Sequence, residues 1–137
     1  MSQENVELVR SAFAAWNRGD LDAWLDHWDE QAQIYPLRAQ LEGRAYNGHE
    51  GLRRFLADMA EDWEGLRFEM DEIREADEQI VGSGRFQARG RVSGIELDVP
   101  LGVIGVVRKG KLVYARFFSD PADAIAAAGS PEKRPPS

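Results

Sequence analysis

The chain predicts an α+β domain, and three observations carry that reading. Up to Trp63, apolar residues recur mostly at three- and four-residue steps, the spacing of helix faces. From Leu66 onward the spacing shifts towards two in four successive runs, the spacing of strands. The length of 137 residues suits one hydrophobic core, since a chain of that size buries on the order of two-thirds of its unfolded surface and folds without staples.

Val6, Val9, Phe13 and Trp16, with Ala12 beside them, form the face of a first helix from Gln3 to Asn17, and Asn17-Arg18-Gly19 stops it. Asp20 is an N-cap with Asp22 in the first turn, and Leu21, Trp24, Leu25 and Trp28 continue as a second, short helical stripe. A strand is expected from Ala32 to Leu37, ended by Pro36 and followed by a polar loop through Gly43. Asn47 with Glu50 three residues later resembles a capping box, and Leu52, Phe55, Leu56, Met59 and Trp63 give a third helix its buried face.

The runs "LRFEMDEI", "IVGSGRFQARGRV", "IELDVPLGVIGVV" and "KLVYARFFS" read as a four-stranded antiparallel meander joined by Ala-Asp-Glu, Ser-Gly and Lys-Gly turns. The last strand carries Leu112, Tyr114 and Phe118 on one side and Val113 and Phe117 on the other, so it is covered on both faces, by helices plus either a second subunit or a tail. "DPADAIAAAG" forms a short last helix with Pro121 in its first turn and Gly129 after its end. One domain spans residues 1–129, and the polar, Pro-rich residues 130–137 are expected to be a disordered tail.

Composition narrows the function. The formal charge of −7 disfavours a phosphate-binding surface, so no nucleic-acid partner is expected. The absence of cysteine removes disulfides, thiolate metal ligands and cysteine nucleophiles, and suits a reducing compartment. His27 and His49 stand too far apart for the spacing of zinc motifs, and neither a metal nor a cofactor is expected. The first ten residues lack an apolar run, and no segment approaches the roughly 20 apolar residues of a spanning helix. A cytoplasmic protein with no membrane partner is expected.

The stretches "AAWNRGDLDAWLDHWDEQAQIYP", "YNGHEGLRRF", "RGRVSGIELDVPLGVIGVVRKGKLV" and "FFSDPADAIAAAG" resemble the SnoaL-like branch of the nuclear transport factor 2-like superfamily, over residues 3 to 129. The resemblance implies a cone in which a strongly curved, mixed but mainly antiparallel sheet wraps the first helix and leaves an apolar pocket at its open end. Aligned on the Asn-x-Gly-Asp-Leu-Asp step, the resemblance puts Trp16, Trp28, Tyr35, Phe55, Met59 and Phe117 at the pocket wall and Trp63 one turn beyond Met59. Trp24 is then core or interface.

The catalytic sets of the superfamily are largely missing. A ketosteroid-isomerase-like site needs a carboxylate base, a Tyr and a protonated Asp, and those places hold Pro36, Ala12 and about Val103, none of which ionises or donates. A limonene-epoxide-hydrolase-like site needs an Arg-x-Asp pair and a further Asp, where this chain has Arg85-Phe86-Gln87 and Phe117. Arg85 survives as a cation that either sits at the pocket mouth, where it would pair with an anionic or carbonyl group of a ligand, or is an exposed sheet arginine balancing an acidic surface. SnoaL-like cyclases use an acidic acid/base residue, for which Asp98, beside a turn, and Asp120, a helix-cap position before Pro121, remain. His27 reads as a surface imidazole near Asp26, and His49 as facing solvent or a loop. No G-x-S-x-G occurs, and "GSGRFQ" lacks the third Gly of a dinucleotide fingerprint.

The function expected is therefore binding of a small apolar or polycyclic molecule in the cone, without an assignable catalytic set, by a homodimer joined through the sheet. The alternatives are an enzyme of the polyketide cyclase, isomerase or hydratase kind, and a non-enzymatic interaction module.

Overall fold

The computed structural model describes residues 2–36, 45–76 and 79–128. The expected loop through Gly43 and the expected tail over 130–137 lie outside them. Helix α1 (Ser2–Asn17) buries Val6, Val9, Ala12 and Trp16 of the expected stripe and also Ala15, while Phe13 is half-buried against the same core. It ends where Gly19 takes a φ of +77°, a left-handed conformation that glycine adopts without steric penalty, and the Asp20 N–H donates back to the Ala15 carbonyl at 3.0 Å. Asn17 does more than stop the helix: its side chain donates to the Phe68 carbonyl at 2.7 Å and accepts from the Phe68 N–H at 2.9 Å, tying α1 to the sheet.

Asp20 caps α2 (Leu21–Asp26) by accepting from the Ala23 N–H at 3.1 Å. Here the structure corrects the sequence reading, because Trp28 is the first residue of strand β1 (Trp28–Tyr35) and not the end of a helical stripe. The chain leaves the helix at His27, whose carbonyl accepts from the Leu112 N–H at 2.8 Å, and Trp28 then stands beside Leu112 in the sheet. The long-range ladder captures residues whose local spacing fits a helix equally well.

Strand β2 (Tyr46–Asn47) pairs with β1, and α3 (Gly48–Asp62) follows. Asn47 does not cap α3 with its side chain as the capping-box spacing implied; its Oδ1 accepts from Gln33 Nε2 at 3.0 Å, across the β1–β2 pair. Trp63 also departs from expectation. It begins strand β3 (Trp63–Ala76) opposite Gly90, with an extended φ of −131°, because the long ladder with β4 (Gln79–Gly90) takes the chain over where α3 ends.

Strands β3, β4, β5 (Glu96–Arg108) and β6 (Lys111–Phe118) form the expected antiparallel meander. With β1 parallel to β6, the sheet order is β2-β1-β6-β5-β4-β3, a six-stranded mixed sheet. The α1, α2 and α3 helices pack their apolar faces on its inner side, where one core joins Trp16, Trp24, Trp28, Leu52, Phe55, Phe68, Ile80, Val103 and Phe117.

On β6 the alternation slips around Val113, where the β5 register shifts between Val106 and Val107. Leu112 therefore joins the inner core with Ala115 and Phe117, rather than sharing a face with Tyr114 and Phe118. The other face is covered in part by α4 (Pro121–Ala128), which sets Ala124, Ala127 and Ala128 on Val81 and Ile104. Gly102 permits that contact, since a Cβ there would stand 2.9 Å from Ala124 Cβ and from Pro121 Cα.

Candidate functional site

The interior of the cone is nearly full. Trp16, Trp24 and Trp28 form a chain of ring contacts at 5.2 and 5.6 Å between centroids, and Trp16 also meets Phe55 and Phe68 at 6.0 and 5.3 Å. What remains among them is an apolar void of about 40 Å³, well short of the ~150 Å³ that admits a benzene ring. Trp16 and Trp28, expected at the pocket wall, line this void. The indole Nε1 of Trp28 is buried without a hydrogen-bond partner among the described residues.

A much larger cleft of about 660 Å³ opens further out. Its walls are Phe55 and Met59 of α3, Trp63 and Phe68 of β3, Phe86 of β4, Leu101 of β5 and Phe117 of β6. Phe55, Phe68 and Phe117 border both the void and the cleft, so these three rings form the partition between them. Of the expected pocket residues, Phe55, Met59, Trp63 and Phe117 come together at the cleft. Tyr35 lines neither space; its ring stands 5.4 Å from Tyr114.

Arg85 is corrected in place. Strand alternation sends Phe86 into the cleft and Arg85 to the opposite face, where its Nε donates to Asp98 Oδ1 at 2.6 Å. Its guanidinium holds the exposed Asp98 carboxyl below the usual carboxylate range. Asp98 is thereby a weaker base and lies away from the cleft. Asp120 serves as the cap read from the sequence, its Oδ1 accepting from the Ala122 N–H at 2.9 Å. His27 Nδ1–H donates to the Ala23 carbonyl at 2.6 Å. His49 does not face open solvent, because its Nε2–H donates to the Trp28 carbonyl at 2.8 Å. The places of the ketosteroid-isomerase set do face the cone interior, with Ala12 and Val103 on the void and Pro36 on the cleft, all without chemistry to offer.

The polar groups of the cleft are ones the sequence reading passed over: Tyr46, Arg54, Asp58, Glu61 and Asp62. Tyr46 is buried, and its hydroxyl donates to Asp58 Oδ2 at 2.5 Å. A signal for Asp58 and Asp62 exists in the sequence, since helical spacing places both on the stripe of Phe55 and Met59. Among the described residues no group of three or more acidic or histidine side chains is placed to hold a metal ion. No described helix is long and apolar enough to cross a membrane.

A curved mixed sheet closed by helices on its inner face, with a cleft at one end, defines the nuclear transport factor 2-like class. Within it, the chain belongs to the SnoaL-like domain family, which matches residues 9–115. A protein of unknown function from Burkholderia pseudomallei is similar in structure, with a TM-score of 0.77 at 21% identity over 93% of this chain and 98% of that one. TerC, co-crystallised with polyporic acid, superimposes with a TM-score of 0.76 at 18% identity over 93% and 99%. A candidate SnoaL-like polyketide cyclase from Jannaschia sp. gives 0.74 at 21% identity over 98% and 95%. No curated protein matches the chain.

Proposed function

We propose that the protein binds a mostly apolar, cyclic small molecule in the cleft at the open end of the cone. The observation that carries this reading is the 660 Å³ space walled by Phe55, Met59, Trp63, Phe68, Phe86 and Phe117, a size and lining suited to a ring system of one to several cycles. A filled interior with no such space would have favoured the interaction module instead. Saturable quenching of tryptophan fluorescence, with a raised melting temperature, is expected from at least one member of a panel of steroids, polyketide aromatics, terpenes and fatty acids. Trp63→Ala weakens that binding about tenfold, since aromatic anchors dominate such sites, while Arg85→Ala leaves it unchanged. A panel without any response overturns the reading.

The second reading is an enzyme of the polyketide cyclase, isomerase or hydratase kind. It is favoured by one feature, the Asp58 carboxylate on the cleft wall with one oxygen held by Tyr46, a group able to take or return a proton. That solved relatives include a candidate polyketide cyclase is in keeping with it. The protein is further proposed to act as a cytoplasmic homodimer, joined through the outer face of the sheet beside α4, where Tyr35 and Phe118 are half-buried.

A further inference from the structure

We infer that Asp58, oriented by Tyr46, is the polar anchor of the cleft and selects a ligand that carries a protonated amine on an apolar ring. The inference rests on the cleft being the binding site. Asp58 projects from α3 onto the same wall as Phe55 and Met59, and the Tyr46 hydroxyl occupies its Oδ2 at 2.5 Å. Tyr46 is itself fixed, being 8% exposed and packed 5.5 Å from Phe55 between ring centroids. A carboxylate offers about four acceptor sites, and Tyr46 fills one of them. The hydrogen bond that Asp58 makes is to Oδ2, which leaves Oδ1 on the cleft wall able to accept from a ligand donor.

The charge of Asp58 itself decides which donor. At its carboxylate on the cleft wall an anionic ligand is repelled, a neutral hydroxyl gains one hydrogen bond, and an ammonium gains a charge-assisted one of about twice the strength. The rings of Trp63, Phe68, Phe86 and Phe117 favour the same choice, because an aromatic face attracts a cation while the ring body of the ligand buries against them. Tyr46 contributes as a positioning residue: it holds the carboxylate in one orientation and leaves Oδ1 for the ligand.

Isothermal titration of three probes of one shape tests this: 2-naphthylmethylamine, 2-naphthylmethanol and 2-naphthoic acid at neutral pH. The amine is expected to bind about tenfold tighter than the alcohol, with the acid weakest. In Asp58→Asn, checked by thermal melting to be folded, that preference disappears while the alcohol binds as in the wild type. In Tyr46→Phe the amine-to-alcohol ratio falls several-fold with alcohol affinity unchanged, a readout that a purely structural tyrosine would not move. An alcohol that binds the wild type as tightly as the amine, or a preference that survives Asp58→Asn, overturns the amine anchor and leaves the cleft reading standing. Failure of all three probes to bind overturns both.

Discussion

Arg85 and Phe86 are neighbours in sequence and opposites in role, which shows how little separates a pocket residue from a surface one on a strand. Phe86 reaches the cleft, whereas Arg85 is spent on Asp98 at a face where both side chains are about half exposed. Because the Arg85 hydrogen bond lowers the pKa of Asp98 in the folded state, the unfolded chain binds the proton more readily. The stabilisation is therefore fully present above the ordinary carboxylate range and is lost as pH falls through the lowered pKa. Asp98→Asn is expected to melt slightly below the wild type at neutral pH, with the gap shrinking with added salt, as for other exposed pairs. Thermal melts from neutral to strongly acid pH check the sign, since the two melting curves converge in acid; a gap that widens there contradicts the assignment.

The elements repeat the lesson at their ends. The α1 stripe, the Asp20 cap and the four-strand meander were legible in the sequence because each depends on periodicity or on a side chain reaching a nearby backbone group. Trp28 and Trp63 were misplaced because indoles at helical spacing continue a helix pattern until a distant strand claims them, β6 for Trp28 and β4 for Trp63. The last helix was also legible, but its seat was not. Gly102 makes that seat, and Gly102→Val is expected to push α4 off Val81 and Ile104, at a cost of about 1–3 kcal/mol. Denaturant unfolding of the variant measures the loss, and hydrogen exchange tests whether the amides of residues 122–128 lose protection first. Wild-type stability with undisturbed protection would show that α4 does not depend on this contact.

For the whole molecule, the division of the interior into a small void of about 40 Å³ and a cleft of about 660 Å³ matters most. Three of the four tryptophans went into filling the cone, and the larger space lies outward, at α3 and the rims of β3, β4, β5 and β6. The outer face of the sheet sets Tyr35 against the buried Tyr114, and it holds Phe118 against the α4 cluster with the Arg116 guanidinium 5.4 Å from its ring. The proposed homodimer predicts twice the chain mass by light scattering at micromolar concentration, and Tyr35→Glu shifts it towards monomer. A strict monomer across that range removes the dimer.

The sequence by itself determined the class of fold, the helical first half, the meander and the family, because hydrophobic period and turn chemistry are properties of neighbouring residues. It also named Phe55, Met59 and Phe117 as wall residues, through the resemblance. Only the tertiary structure decided which face Arg85 occupies, that Trp16 and Trp28 close a core instead of opening a pocket, and that Tyr46 meets Asp58. The physical reason is common to all three. A side chain's face and partner are set by strand register and helix seating across long separations in the chain, and a shift of one residue in register reverses them while leaving the local pattern intact.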